Sequence, residues 1–272
     1  MSRFSRAFRG RGPVPVGTWI KLPAAESVEA AATAGFDFVV VDLEHTLLSY
    51  ETAAAHIRLA SALGLLPFVR VPDHGPSLVQ RLLDGGAAGI LFPHVDDADT
   101  AARTASATRF PPYGTRGSGG TSRAGAYGAL PRAEYLRRGN EDVLCLPQLE
   151  SRRAMAAATD ILAVDGVDGV FLGAADLALD LGLPGTDPHV TELVAGAAEA
   201  ARAAGKPSGV AYGAAPSRLA DAAADGHGFV VLGNDTSLLA DAARKLCQDA
   251  RRALAERAGP SAPDPHHDRA TP

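Results

Sequence analysis

The sequence predicts a single-domain α/β protein, a closed (β/α)₈ (TIM) barrel, on three observations. Short apolar runs alternate with alanine-rich stretches of helical period, which is typical of a parallel sheet with crossover helices. Eight such units can be counted, whereas an open doubly wound sheet normally has fewer strands and a phosphate-binding glycine loop after the first. The length of 272 residues suits a barrel, which commonly has about 250.

Each strand is predicted from a short apolar run and each helix from the periodic stretch after it. Ser49, Ser217 and Asp235 are candidate caps at the starts of the second, seventh and eighth helices. The strands are expected at 16–22, 38–41, 66–69, 89–92, 143–149, 169–172, 208–211 and 229–232. The helices are expected near 25–35, 50–63, 75–84, 97–107, 151–163, 188–204, 216–225 and 236–256.

The two ends of the chain are predicted to differ from the barrel. The basic segment before residue 13 lacks the apolar stretch of a secretory signal. We expect a short helix there, with Phe4 and Phe8 one turn apart and plugging the bottom of the barrel. Residues 1–257 are assigned to the barrel domain, and the proline-rich residues 258–272 to a disordered tail.

Composition argues against several classes of partner. A net charge of −5, 6% aromatic residues and no sustained basic stripe argue against nucleic acid. No apolar run approaches the roughly 20 residues that cross a bilayer. Two cysteines cannot build a disulfide framework and fit the reducing cytoplasm.

The connection between the fourth helix and the fifth strand is longer than barrels usually need. It contains RFPPYGTRGSGGTSRAGAYG at 109–128. The glycines there follow no strand and have no lysine beside them, so phosphate binding is weakly indicated. Because long connections usually serve function or assembly, an ordered segment at a subunit interface is favoured.

Polar residues cluster where the predicted strands end, which is where barrel enzymes place catalytic groups. Alternation along a strand puts Gln148 and Glu150 on one face. It likewise groups Arg70 with Phe68, and Lys21 with Trp19. The other polar residues at strand ends are Asp42, Glu44, His45, His94, Asp176, Asn234 and Asp235.

Glu150 and Asp176 end neighbouring strands, so their carboxylates would repel unless a cation or proton lay between them. Two oxygen ligands suit Mg²⁺ or Mn²⁺, with the other positions left to water and substrate. Each acid alone is more simply explained as a helix-start residue. Their placement with His45 and Arg70 favours a metal site.

His45 is a candidate general acid and base, because imidazole titrates near neutral pH. Arg70 offers a fixed positive charge for an oxyanion or carboxylate. Taken alone, either side chain is more often structural. His94 and His74 are interpreted as structural, and Asp235 mainly as a helix cap.

With these residues in place, the sequence resembles the HpcH/HpaI aldolase family, the class II pyruvate aldolases. The resemblance extends in order from about residue 13 to residue 250. The matching segments are VDLEH at 41–45, FVRVP at 68–72, LLDGGAAGILFPHVD at 82–96, RFPPYGTRG at 109–117, QLES at 148–151, DGVFLGAADLALDLG at 168–182 and VLGNDT at 231–236.

The resemblance implies a divalent metal (Mg²⁺, Mn²⁺ or Co²⁺) on Glu150 and Asp176, chelated by pyruvate, which is joined to or released from an aldehyde. Arg70 would stabilise the enolate, and His45, near Asp42, would move the proton. It also implies a homohexamer that exchanges a carboxy-terminal helix, with Asp84 supporting a neighbour's His45. Trp19, Gln148 and the backbone of Gly173, Ala174 and Ala175 would line the pyruvate pocket.

Three alternatives remain open. One is a Schiff-base aldolase that needs no metal and uses Lys21, where the family commonly has a small polar residue. The same enolate chemistry would serve decarboxylation of oxaloacetate. The barrel could also be a non-catalytic binding subunit. Departures at Ala174, Ala178 and 46–48 leave the aldehyde partner undefined.

Overall fold

A computed structural model describes residues 3–8 and 14–258 of the chain. Eight strands pair in the order β1 to β8 and close into a barrel through the β1–β8 pair. Every pairing is parallel, so all eight carboxyl ends meet at one end of the barrel. The predicted (β/α)₈ fold is confirmed.

The strands are β1 Val16–Ile20, β2 Phe38–Asp42, β3 Leu66–Arg70, β4 Gly89–Phe92, β5 Leu144–Leu149, β6 Val170–Leu172, β7 Ser208–Tyr212 and β8 Phe229–Asn234. The helices are α1 Arg3–Ala7, α2 Ala25–Ala34, α3 Tyr50–Ala62, α4 Pro76–Asp84, α5 Ala98–Thr108, α6 Arg132–Glu141, α7 Arg152–Ala156, α8 Ala158–Ala163, α9 Ala174–Leu181, α10 Pro188–Ala203, α11 Arg218–Ala224 and α12 Asp235–Ala258.

Several details differ from the sequence-based expectation, and β8 continues two residues further than expected, to Asn234. Strand β1 ends at Ile20, two residues early, and the single helix expected at 151–163 is divided into α7 and α8 at Ala157. Helix α9 follows β6 directly and was not predicted. The long connection before β5 holds α6 and a 3₁₀ helix at Arg123–Gly128.

Side-chain alternation separates the barrel interior from the layer beneath the helices, as the sequence predicts. On β5, Leu146 packs inside the barrel, whereas Cys145 and Leu149 pack in the outer core. On β3, Phe68 is interior and Val69 is outer. The register places Asp42 of β2 opposite Arg70 of β3. The sheet therefore delivers these two polar side chains to the same end of the interior.

Aromatic side chains fill the amino-terminal end of the barrel. Phe4 and Phe8 are both buried, with ring centroids 4.6 Å apart. Phe4 contacts Phe229 at 5.3 Å, and Phe8 stacks on Phe68 at 5.9 Å. The predicted plug is confirmed, and it leaves the opposite end for the polar groups.

The long segment before β5 is ordered by buried ion pairs. Nη2 of Arg109 lies 2.6 Å from Oδ2 of Asp168, and Nη2 of Arg116 lies 2.8 Å from Oδ1 of Asp84. Both arginines are buried. The predicted order of this segment is confirmed, and its place at a subunit interface stays a prediction.

The internal contacts of the chain define one unit that ends at Asp235 and a second that begins at Thr236. Within the described residues, the second unit consists of helix α12 from Thr236 onward. The expected tail lies outside the described residues from 259 onward. Throughout the described ranges, no helix combines the length and apolarity that a membrane span requires.

Candidate active site

A cavity of about 210 Å³ opens among the carboxyl ends of the strands. All five residues predicted to line a pyruvate pocket line it, and Lys21, Arg70 and Asp176 also reach it. Its polar lining thus combines two cations with one carboxylate and two amides. The predicted and polar residues that line the cavity are Trp19, Lys21, Arg70, Gln148, Gly173, Ala174, Ala175, Asp176 and Asn234.

Arg70 is fixed by two acidic residues and one aromatic ring. Its Nε and Nη2 donate to the two carboxylate oxygens of Asp42 at 2.9 and 2.8 Å. Its Nη1 lies 2.9 Å from Oε2 of Glu44, and its guanidinium carbon lies 4.3 Å from the ring centroid of Trp19. A bidentate pair of this kind sets the orientation of the guanidinium.

Lys21 reaches the same acid from β1. Its Nζ lies 3.1 Å from Oδ2 of Asp42, which is completely buried. Burial works to raise the pKa of the Asp42 carboxyl, but the hydrogen bond and charge of Arg70 and the charge of Lys21 outweigh it. The pKa therefore lies below its ordinary value, and Asp42 is an anion that holds both cations.

Asp235 fixes the backbone beside Lys21. Its two carboxylate oxygens accept hydrogen bonds from the backbone N–H groups of Lys21 and Leu22, each at 2.9 Å. Asp235 therefore joins the end of β8 to the end of β1. The sequence indicated mainly a helix cap, whereas Asp235 is the first residue of α12 and its carboxylate binds the backbone after β1.

Glu44, His94 and Glu150 form a second cluster, and one potential ligand atom of each lies within 4.8 Å of the others. Nδ1 of His94 is 2.8 Å from Oε1 of Glu150, and Nε2 is 3.2 Å from Oε1 of Glu44. The sequence placed Glu44 and His94 at strand ends, but gave Glu44 no role and His94 only a structural one. The signal in the sequence that could have indicated this cluster is that Glu44 and His94 follow β2 and β4, whose carboxyl ends meet at the same end of the barrel.

Glu150 is buried, and its environment disfavours an uncompensated negative charge. Burial raises the pKa of its carboxyl group, and the neighbouring charge of Glu44 acts in the same direction. Hydrogen bonds from the backbone N–H of His94, at 2.7 Å, and from Nε2 of Gln148 oppose this shift but do not cancel it. A cation beside Glu150 would therefore be favourable.

Gly173 is required where β6 passes Glu150. A Cβ atom at this position would lie 2.7 Å from Cβ of Glu150 and 3.4 Å from Nε2 of Gln148. Only glycine lets the two strand ends approach this closely. The backbone that follows, Ala174 and Ala175, then lines the cavity.

Asp176 reaches the cavity from the first turn of α9 and is half-buried. The three-residue cluster found among the described residues contains Glu150 but not Asp176. Both carboxylates nevertheless lie at the carboxyl ends of the adjacent strands β5 and β6. Their joint binding of a metal stays a prediction.

His45 and Asp84 are not brought together within one chain. The His45 side chain is 56% exposed, and its Nε2 lies 3.7 Å from Oε2 of Glu44. Asp84 is the last residue of α4. The helices of a (β/α)₈ barrel are antiparallel to the strands, so α4 ends at the amino-terminal end of the barrel, opposite the cavity. Asp84 there pairs with Arg116. Cooperation between the two stays a prediction that requires a second subunit.

A closed parallel barrel with ionisable groups at its strand carboxyl ends has the architecture of (β/α)₈-barrel enzymes. The model of the HpcH/HpaI aldolase/citrate lyase family matches residues 16–242. The chain belongs to this family, and the resemblance drawn from its motifs is confirmed.

Individual relatives agree with this assignment. The chain is 36% identical over 235 residues to 2-keto-3-deoxy-L-rhamnonate aldolase of Shigella sonnei strain Ss046, which covers 85% of this chain and 87% of the relative. A HpcH/HpaI aldolase from Desulfitobacterium hafniense DCB-2 superposes with a TM-score of 0.85 at 30% identity, over 90% of this chain and 96% of that one. A HpcH/HpaI aldolase/citrate lyase family protein from Burkholderia cenocepacia J2315 gives 0.83 at 34% identity, over 91% and 98%.

These relatives identify the chain as an enzyme, an aldolase of the lyase class. The interpretation as a non-catalytic binding subunit is therefore set aside.

Proposed function

We propose that the chain is a divalent-metal-dependent aldolase that reversibly cleaves a 4-hydroxy-2-oxo acid into pyruvate and an aldehyde. The observation that carries the proposal is the buried carboxylate of Glu150, which lies close to a second acid, Glu44, and accepts a hydrogen bond from Gln148, a residue that lines the cavity with Arg70. The name of the Shigella relative describes a substrate of this chemical class, a 2-keto-3-deoxy sugar acid.

Glu150 and Asp176 would hold the cation, Mg²⁺, Mn²⁺ or Co²⁺. The donor set fits, because carboxylate oxygens suit these ions and because Glu150 is buried beside a second acid, Glu44. When bound, the cation supplies Lewis-acid polarisation of the 2-oxo group of the substrate. Gln148 fits the pocket as well, since its Oε1 is buried without a hydrogen-bond partner and can accept one from a ligand.

Arg70 would stabilise the charge that develops on the keto oxygen as the bond between C3 and C4 breaks. Its guanidinium lines the cavity and is held by Asp42 and Glu44, so it does not have to reorganise during the reaction. His45 would take the proton of the 4-hydroxyl group, and a proton would be returned to C3 to complete pyruvate. Asp84 of a neighbouring subunit would support His45.

Assembly into a homohexamer that exchanges its carboxy-terminal helix is part of the same proposal. Helix α12 has several exposed leucine side chains, which a partner subunit would cover: Leu238, Leu239, Leu246 and Leu254. Both cysteines are free, which fits a cytoplasmic enzyme.

Decarboxylation of oxaloacetate is the second candidate, and Lys21 is the observation that favours it. Its side chain is 26% exposed and lines the cavity with Arg70. Two cations at one wall suit a substrate with a second carboxylate. Comparing kcat/KM for oxaloacetate with kcat/KM for 4-hydroxy-2-oxo acids ranks the two activities.

We expect aldol addition of pyruvate to a panel of aldehydes to stop in EDTA and to return when Mg²⁺, Mn²⁺ or Co²⁺ is added. We also expect pyruvate and borohydride to leave Lys21 unmodified by mass spectrometry. Attack on pyruvate needs the uncharged amine, and Asp42 would then lose one of its two cations. Full turnover in EDTA together with a pyruvate adduct on Lys21 would instead establish the Schiff-base mechanism.

A further inference from the structure

A second cavity, of about 300 Å³, lies at the amino-terminal end of the barrel. Residues where three strands begin line it: Leu66 is the first residue of β3, and Ala88 and Val143 directly precede β4 and β5. Residues of α1, α6 and the long segment before β5 complete the lining. The candidate active site lies at the opposite end of the barrel, and the two cavities share none of their described lining residues.

Arg116 is buried in the wall of this cavity, where few of its donors are used. Its side chain is 1% exposed, and a guanidinium carries five N–H donors. Among the described residues, one hydrogen-bond acceptor is found for it, Oδ1 of Asp84, at 2.8 Å from Nη2. Its Nε is buried without a partner, and the ring centroid of Phe110 lies 4.4 Å from the guanidinium carbon. Unsatisfied buried donors are costly, so this arginine points to an acceptor supplied by a ligand.

The other buried arginine of the long segment shows the contrast. The guanidinium of Arg109 donates to Thr108, to the backbone carbonyl of Gly166 and to Asp168. The segment thus supplies several acceptors where an arginine has only a structural role, and it does not do so for Arg116.

A second arginine, Arg138 of α6, lines the same cavity. Its Nε lies 2.7 Å from Oε1 of Glu134, but Glu134 also pairs with Arg137 at 2.8 Å, so two guanidinium groups share one carboxylate. Asp142 is the acid in the described lining, and its oxygens lie 3.9 Å from Arg6 and from Arg137. The arginines of the lining therefore retain donors for an anion, whereas the acid already faces two cations.

The rest of the lining favours a carboxylate on an apolar body. Backbone N–H groups often cradle phosphate, but those of Gly86, Ala87 and Ala88 all donate to carbonyl groups of the chain. Apolar side chains and the buried ring of Tyr135 form most of the remaining surface. Mainly apolar pockets of about 300 Å³ or more, with a few fixed polar groups, are typical sites for small organic ligands.

We propose that this cavity is a second ligand site, separate from the active site, for a small organic acid whose carboxylate binds Arg116 and Arg138. The planar fork of a guanidinium matches the two oxygens of a carboxylate. The apolar part of the acid would lie against Leu66, Ala88 and Val143. The site does not depend on the proposed aldolase activity, which uses the opposite cavity.

The test is calorimetric titration of the full-length protein with 4-bromobenzoate, a carboxylate on a small apolar body. We expect binding in the low-millimolar range or tighter. The uncharged 4-bromobenzamide should not bind in that range. Crystals soaked with the acid should show the anomalous signal of bromine in this cavity, with the carboxylate about 3 Å from the guanidinium of Arg116.

Two variants test the site in solution. Ala124→Leu fills the cavity without removing a charge, since Ala124 lines it and is half-buried. Arg116→Lys keeps a positive charge beside Asp84 but removes the fork. We expect each variant to weaken binding of the acid at least about 10-fold. Ala133→Leu is the matched control, because Ala133 is exposed on α6, and it should bind as the wild type does.

Unchanged affinity in both variants would overturn the proposal, as would failure of the wild type to bind the acid. Equal binding of the amide would show that the arginines do not recognise the ligand. Bromine found only at the carboxyl end of the barrel, or a neighbouring subunit that fills the cavity, would also overturn it. If Arg116→Lys proves misfolded by thermal unfolding, Ala124→Leu decides, because it leaves the Arg116–Asp84 pair in place.

Discussion

Replacing Glu150 with glutamine is expected to lower kcat/KM for a 4-hydroxy-2-oxo acid about 1,000-fold and to abolish high-affinity cation binding. A Lewis acid contributes several kcal/mol to such a reaction, and three powers of ten correspond to about 4 kcal/mol. The amide keeps the size of the side chain but removes the charge that attracts the cation. Steady-state kinetics and calorimetric cation titration measure the two losses.

The same substitution is expected to raise the thermal midpoint of the cation-free protein at neutral pH. Burial raises the pKa of the Glu150 carboxyl, so the folded state binds its proton more tightly than the unfolded state does. The sign of this linkage means that stability falls as pH rises through the interval between the two pKa values. Above that interval the buried charged carboxylate lowers the free energy of unfolding. Glutamine has no charge, so the variant should lack this loss of stability.

Glu192→Gln is the matched control for both effects, because Glu192 is 76% exposed on α10. It should change neither turnover nor the midpoint. An active Glu150→Gln variant would exclude the proposed cation site. A variant with a lowered midpoint would show that Glu150 stabilises the fold as an anion, contrary to its environment.

Arg70→Met is expected to lower kcat about 100- to 1,000-fold and to destabilise the fold by about 3–5 kcal/mol. The catalytic loss follows from removing the cation that faces the developing charge. The loss of stability follows because Asp42 and Glu44 stay in the protein interior without the guanidinium between them. Turnover assays and urea unfolding measure the two effects.

A double-mutant cycle separates the ion pair from general packing. Asp42→Asn combined with Arg70→Met should be less destabilised than the sum of the single variants, by about 0.5–3 kcal/mol. Arg153→Met is the control, since Arg153 pairs with Asp97 at the surface and should matter by less than about 1 kcal/mol. Strict additivity would mean that the Asp42–Arg70 pair does not couple the two strands.

The barrel itself was predictable because strand and helix periods differ and repeat eight times along the chain. The missed helices had weaker signals. Helix α9 has eight residues and begins immediately after β6, and α6 lies in a stretch rich in glycine and proline. The break at Ala157, between α7 and α8, involves neither glycine nor proline, so composition does not indicate it.

The positions of site residues on strands could be predicted from the sequence. The positions of site residues in loops could not, because they depend on the local backbone conformation. Gln148 and Arg70 extend from strands whose alternation sets their direction, and both line the cavity as expected. The position of His94 depends on a positive φ after β4, which the sequence does not reveal. The predicted partnership of His45 and Asp84 involves another subunit, so one chain does not bring it together.

The central claim is that Glu150 and Asp176 hold a cation against a bound 2-oxo acid. Crystals grown with Mn²⁺ and pyruvate test it directly through the anomalous signal of manganese. We expect one strong peak about 2 Å from a carboxylate oxygen of each residue, with pyruvate between it and Arg70. Bound pyruvate with manganese absent from Glu150, or bound at a different place in the barrel, would contradict the account.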